Sequence, residues 1–397
     1  MSRLRLGAIA LIAALISTGC TSTPEDEPEK YGPVKLAVAH TPDTWLSDDY
    51  EHGFGEVWKL DRSEEVCGIH DDVVLLGRDG DLVAVRMADK STVWQSEGQG
   101  CISNSVVDGD VYISTKTGAS EQRWERVEIS TGERTPVTGE IPAVGRFRPV
   151  AHADGRSWVL MLSQTGGMQL RASDADGREL WRADTDDLSY CKVLDGGAAG
   201  TPKRFGCWSR TDKFVLIDAE TGRVVTELEV APPTAKQGSV VLAARDGYIV
   251  IPRDPEPGIE ALEQFDLDGE PAGTNTVTEY PRVPDGVMFT LADLQIATDR
   301  RVETVSADGR WVTRREDGRR SVLVGEEAHP VDGTPRFVTE SGGALVISPD
   351  AKGLLLLSTE DASQLGSIDR SAHDLEVMGG YLVRPDRGEA EIHLPGR

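Results

Sequence analysis

The chain has 397 residues, with 42 Lys and Arg against 67 Asp and Glu and a formal net charge of −25. That excess of acid repels other polyanions, which excludes nucleic acid as a partner and argues against direct adsorption to anionic lipid head groups. After residue 19 no apolar stretch approaches the length of a membrane helix.

The opening residues carry Arg3 and Arg5, an apolar run from Leu6 to Ile16, and the small-residue end Gly19-Cys20. The run is too short for a stable membrane anchor and reads as an export signal. Ending on Gly19-Cys20, it resembles a bacterial lipoprotein signal. The alternative is an ordinary secretory signal. The lipoprotein resemblance implies cleavage before Cys20 and a diacylglyceryl group on its sulfur. Residues 1–19 are then a signal peptide. Their removal takes two arginines and no acid, leaving 40 basic and 67 acidic residues and a charge of −27. Residues 20–50 form the lipidated cysteine and a flexible acidic tether. Thr21 to Lys30 is polar and contains proline, and cannot bury enough apolar surface to fold. Residues 51–397 are expected as one folded domain.

Four further cysteines, Cys67, Cys101, Cys191 and Cys207, form an even set in an exported chain and imply two disulfides. Cys191 and Cys207 flank a Gly-rich loop, on two strand-like runs, and should face each other across a hairpin. Cys67 and Cys101 then pair by elimination. No CxxC favours a metal or redox site, so the set reads as structural disulfides.

The domain is built from a repeat. Leu82 to Trp94, Val127 to Arg134, Leu170 to Trp181 and Phe214 to Val225 each combine an aliphatic strand, an Asp, Ser or Thr turn and a second strand. Weaker copies are Gln264 to Glu270, Val305 to Arg310 and Leu357 to Ala362. The turn ends fall at Lys90, Gly132, Gly177, Gly222, Gly269, Gly309 and Ala362, with steps of 40 to 53 residues. Four short strands per period of that size mark a β-propeller blade. Almost no segment has helical periodicity; Ile259 to Phe265 offers one short turn at most. Glu56 to Leu60 matches the last strand of a unit without the three before it. Asp374 to Met378, Tyr381 to Arg384 and Glu391 to Leu394 supply three strands without a fourth. The expectation is therefore an all-β, eight-bladed propeller of four-stranded blades, the last closed by the N-terminal strand, with seven blades as the alternative. Residues 277 to 333 are its least regular part.

The pattern aliphatic-x-[DS]-x-x-[TD]-G-[KR]-x-x-W resembles the PQQ-type propeller repeat of quinoprotein dehydrogenases and BamB-like lipoproteins, over roughly residues 55 to 394. The resemblance implies that Trp58, Trp94 and Trp181 dock between blades. It also implies a question about cofactor, because quinoprotein dehydrogenases hold PQQ with Ca²⁺ and often place adjacent cysteines over it. No adjacent cysteines and no CxxCH occur here. HExxH, GxSxG and GxxxxGK[ST] are absent as well. Gly196 to Lys203 reads as a hairpin loop. Asp174-Ala-Asp176-Gly177 and Asp266-Leu-Asp268-Gly269 resemble the start of a Ca²⁺ loop but lack its later ligands, so they read as turns. His70-Asp71-Asp72 reads as a turn between strands. No catalytic residue, cofactor or metal site is assigned. The expected function is a non-enzymatic, lipid-anchored scaffold on the extracytoplasmic face of the cell membrane, monomeric and binding an envelope or secreted protein. A small-ligand binder or sensor is the alternative, and a PQQ-dependent oxidoreductase a distant third.

Overall fold

The computed structural model describes residues 36–38, 45–99 and 101–396, less short stretches of which 230–238, 253–260 and 277–286 are the longest. Among the described residues the chain is almost wholly antiparallel β, in eight units of four main strands, A to D in sheet order. Unit 1 holds Glu64–His70, Val73–Arg78, Asp81–Arg86 and Thr92–Ser96. Unit 2 holds Val106–Val107, Asp110–Lys116, Glu121–Glu128 and Arg134–Pro136, with Ile141–Pro142 also pairing its third strand. Unit 3 is Phe147–Ala153, Arg156–Leu162, Met168–Ser173 and Glu179–Arg182. Unit 4 is Leu188–Asp195, Arg204–Ser209, Lys213–Asp218 and Val224–Glu229. A single pairing, Met168 with Leu188, joins these two into one sheet. Unit 5 is Ser239–Ala244, Gly247–Pro252, Ala261–Asp266 and Pro271–Thr276. Unit 6 is Val302–Val305, Trp311–Arg314, Arg320–Val324 and Glu327–Val331. Unit 7 is Thr334–Val338, Ala344–Asp350, Gly353–Ser358 and Gln364–Ile368. The eighth has Glu376–Met378, Tyr381–Arg384 and Glu391–Pro395, and its fourth strand is Phe54–Lys59 from the other end of the chain.

The burial pattern explains the sequence pattern. Central strands such as Val73–Arg78 and Lys213–Asp218 are buried along nearly their whole length. A strand covered on both faces by neighbouring sheets has no reason to alternate. Outer strands such as Glu179–Arg182 carry the exposed charge. The turn between strands C and D needs a residue at positive φ, supplied by Lys90 (φ 59°), Gly132 (78°), Gly177 (74°), Gly222 (73°), Gly269 (81°) and Ala362 (57°). Gly309 lies outside the described residues.

Three expectations are corrected. A helix, α1 (Leu291–Asp299), precedes unit 6; Leu294 and Ala297 enter the same core cluster as Ile249 and Val302. Where Ile259 to Phe265 offered a short helical turn at most, Ala261–Asp266 is strand C of unit 5, and residues 259 and 260 lie outside the described residues. Packed structure also begins before residue 51. Trp45, Leu46 and Tyr50 are buried, because their apolar surface has neighbouring sheets to cover it, and Asp48–His52 is a 3-10 turn. A short strand, Leu36–Val38, pairs with Val287–Phe289.

Candidate functional site

A crevice of about 280 Å³ lies between the outer strands of units 7 and 8. Phe54, Val57 and Ile368 give it apolar walls, and Lys59, Asp369, Glu391 and His393 give it charge. Glu391 and His393 stand two apart on one strand and so share a face. Both are about nine-tenths or more buried, with His393 Nε2 3.2 Å from Glu391 Oε1. The pairing of Phe54–Lys59 with Glu391–Pro395 shifts register between Phe54 and Val57. Such an irregularity bends a strand and re-aims its side chains. Below it, the Tyr50 hydroxyl donates to His393 O and accepts the Leu382 N–H at 3.0 Å. Burial pushes that phenol far above its ordinary pKa. The crevice can hold a small polar group by hydrogen bonds. Its residues were missed in the sequence, although the alternation Glu391-Ile392-His393-Leu394 was a signal that two polar groups share a face.

The sequence-read turns behave as turns. Asp174 Oδ1 accepts the N–H groups of Asp176 and Arg178 at 3.0 and 2.9 Å. Asp266 Oδ1 does the same for Asp268 and Glu270, each at 2.9 Å. Asp218 accepts from Glu220 and Thr221, and although burial opposes it, the Thr221 hydrogen bonds and Arg204 hold its carboxyl below the usual range. Asp71 and Asp72 take φ of 45° and 64° between strands, as a hairpin turn requires. Among the described residues no group of three His, Cys, Asp or Glu is placed to hold a metal ion. Gly196 to Gly200 lies outside the described residues.

Cys191 and Cys207 are register partners on strands A and B of unit 4 and are cross-linked, Cα to Cα 4.1 Å. Cys67 is cross-linked to Cys101, Cα to Cα 5.4 Å, tying unit 1 to the segment leading into unit 2. With all four thiols in cross-links and no two adjacent, these residues do not fit the cysteine pair of a PQQ site. Cys20 lies outside the described residues.

The three repeat tryptophans sit between units and are half-buried. Trp94 Nε1 donates to Ile129 O at 2.8 Å, across to unit 2. Trp181 abuts Gly222 of unit 4, and the Lys90 ammonium lies 5.2 Å from the Trp58 ring centroid. The Thr226 side chain takes the same place against Gly269, whereas Gly177 lies against the backbone of Thr138. Of the other tryptophans, Trp45, Trp124 and Trp158 are buried. Trp208 is half-buried between Phe214 and the exposed Tyr190.

A family model described as outer membrane protein assembly factor BamB matches residues 166–360. The chain is a β-propeller of PQQ-like repeats. No curated protein sequence matches it. Among solved structures it is similar to BamB from Moraxella catarrhalis, at 13% identity over 86% of this chain and 98% of that one, TM-score 0.43. It is similar to the computationally designed Ika8 protein, at 10% identity over 91% and 99%, TM-score 0.44. The quinohemoprotein alcohol dehydrogenase from Comamonas testosteroni stands at 10% identity over 91% and 80%, TM-score 0.41. Among the described residues no helix is long and apolar enough to cross a membrane.

Proposed function

We propose that this propeller is a non-enzymatic scaffold that docks another protein of the cell envelope, carried on the extracytoplasmic face by a lipid on Cys20. The observation that carries the reading is the match of residues 166–360 to the repeat of an assembly factor, placed behind an export signal ending at Gly19-Cys20. The eight units are read as eight blades of one closed ring, a monomer. Their loops offer broad end surfaces suited to docking.

The test is crosslinking in living cells with a tag after Arg397. One discrete envelope protein should be recovered repeatedly, and lost when Cys191→Ser plus Cys207→Ser loosens unit 4. Closing that loop, sequence separation 16, is worth about 3 kcal/mol in the chain-entropy model. Recovery of no specific partner across growth conditions would reject the scaffold. The crevice beside Glu391 and His393 supports a second reading, a small-ligand binder. A ligand bound only by the folded state raises the melting temperature, by a stabilisation that grows as RT ln(1 + [L]/Kd). A rise of that form that Glu391→Gln abolishes would favour it.

A further inference from the structure

The junction of units 7 and 8 departs from the repeat in three ways, and the crevice lies where they meet. In units 1 and 3 the outer strand carries a tryptophan four residues after the positive-φ residue of the C–D turn: Trp94 after Lys90, and Trp181 after Gly177. Each lies against a glycine in the C–D turn of the next unit, Gly132 and Gly222. In unit 7 the same position, four after Ala362, is Gly366. The register agrees, since Gly366 pairs with Leu356 as Trp94 pairs with Ala84. Unit 8 also has no C–D turn to receive a ring, because its strand C ends at Pro395 and its strand D begins at Phe54. The third departure is on strand C. Val83 and Val85 flank the partner of Trp94 in unit 1, Val215 and Ile217 flank the partner of Thr226 in unit 4, and Leu355 and Leu357 flank the partner of Gly366 in unit 7. In units 2, 3 and 5 the charged residues there are Arg126 and Arg171, each paired with an acid of its own sheet, and the exposed Glu263. In unit 8 Glu391 and His393 flank Ile392, the partner of Trp58; both are buried, and both border the crevice. Burying a carboxylate and an imidazole where three other units pack aliphatic side chains costs stability. A local rule broken at such a cost is expected at a functional site.

We propose that this crevice binds an apolar α-amino acid, held by both its ammonium and its carboxylate. The inference deepens the small-ligand reading of the crevice and rests on it. The lining has one charged end and one apolar end. Lys59 and Glu391 are register partners and share a face, and Asp369 joins them from unit 7. Two residues back, about 7 Å along the strand, Val57 stands opposite His393. Phe54 and Ile368 continue the apolar wall. Lys59 and Asp369 are exposed at the mouth, while Glu391 and His393 are buried at the floor. A bare cation would meet the Lys59 ammonium, and a bare anion the carboxylates of Glu391 and Asp369. A zwitterion answers both signs: its ammonium donates to Glu391 at the floor, and its carboxylate accepts from Lys59 at the mouth. The Glu391 carboxylate has about four lone-pair directions and can accept from His393 and a ligand together. The ligand's side chain then lies along Val57, Phe54 and Ile368. The volume of about 280 Å³ falls just below the range of about 300–1,000 Å³ for pockets of drug-sized ligands, and so suits a molecule the size of leucine.

The experiment is calorimetric titration of the full chain, matured in cells and held in detergent, with L-leucine. Two further probes each lack one charge: L-leucine amide has no carboxylate, and N-acetyl-L-leucine has no ammonium. Leucine should bind saturably, and each of the two probes about tenfold or more weakly, as loss of a charge-assisted hydrogen bond requires. Glu391→Val plus His393→Val installs the valine pair of unit 1. It should abolish leucine binding while leaving the denaturation midpoint unchanged or higher. Lys59→Gln, at an exposed position that the fold does not depend on, should weaken leucine about tenfold and leave leucine amide unchanged. Leucine amide binding as tightly as leucine would overturn the zwitterion. Failure of leucine to saturate up to about 10 mM, beyond the millimolar range, would overturn the amino acid. If a sugar, organic acid or polyamine then raises the melting temperature in a way that Glu391→Gln abolishes, the small-ligand reading stands without it. If none does, both fall together.

Discussion

At the scale of the residue, the contact that repeats around the molecule is a side chain of one unit laid on the positive-φ turn of the next. Gly132 shows why glycine is used. Its φ is +78°, and an added Cβ would sit 2.8 Å from Trp94 Cδ1. Gly132→Ala thus strains the backbone and pushes Trp94 off its hydrogen bond to Ile129. The expected loss is about 1–3 kcal/mol in urea unfolding. In a Trp94→Ala background the ring clash is gone and only the tighter Cβ contact at 3.0 Å remains, so the loss should fall toward the backbone strain. Equal losses in both backgrounds would mean that the tryptophan does not bear on the turn. His152 is a second residue-scale case. Burial first, and the nearby Arg126 second, press its pKa down from 6.5 to about 4; its Nδ1 lies 2.9 Å from Ser157 Oγ. The unfolded chain protonates this ring near 6.5 and the folded chain only near 4, so the unfolded state binds more protons between them. The full stability is present above about pH 6.5 and is lost as pH falls toward 4. His152→Gln should flatten part of that acid slope, measured as denaturation midpoints from pH 7 to 4. An unchanged slope would assign the acid sensitivity elsewhere.

At the scale of the element, residues 45–53 form a strap ahead of the closing strand, tied to the strands of unit 8 by one phenol. Tyr50 links the 3-10 turn to two strands of unit 8 through His393 O and the Leu382 N–H. Tyr50→Phe keeps the ring but strands both backbone groups in a dry site, costing about 1–3 kcal/mol. Tyr381→Phe removes only a hydroxyl that bonds Asp72 at the surface, 3.0 Å away, and should be nearly neutral. Parallel urea titrations of the two variants check the contrast; similar losses would mean that burial of the Tyr50 hydroxyl contributes nothing special. The strap was not legible in the sequence. Trp45, Leu46 and Tyr50 follow no period, and their partners lie about 260 to 340 positions away. The repeats were legible because each turn carries its own chemistry: an Asp accepting local N–H groups, then a residue tolerant of positive φ. Strand Phe54–Lys59 was legible for a different reason, as a lone D-strand motif facing three strands that lacked a fourth. Helix α1 was not, because nine residues carry little periodicity and its apolar positions are specified by unit 5 and unit 6 around it. The crevice was half legible. Alternation put Glu391 and His393 on one face, but their burial depends on the distant strand laid beside them.

At the scale of the molecule, the question is whether the eight units behave as one body. Contacts are present between the last and the first: Val66 N–H donates to Pro385 O at 3.2 Å, and Tyr381 reaches Asp72. The chain ends are also joined, with Leu60 N–H on Ala390 O at 3.1 Å and Gly396 N–H on Gly53 O at 2.7 Å. Bringing together the ends of a chain of over three hundred residues costs on the order of 5 kcal/mol in loop entropy. The pairing of Phe54–Lys59 and the strap offset that cost. A chain truncated to residues 61–397 loses both, leaving the C-terminal sheet with three strands and a bare face. Because each unit buries both faces on its neighbours, that loss should lower the stability of all units together. The expected outcome is a lower denaturation midpoint with a single transition, coincident by tryptophan fluorescence and far-ultraviolet circular dichroism. Two separated transitions, or a protease-resistant half released from the truncated chain, would mean that the units fold as independent arcs, and that the N-terminal strand closes one sheet without closing a ring.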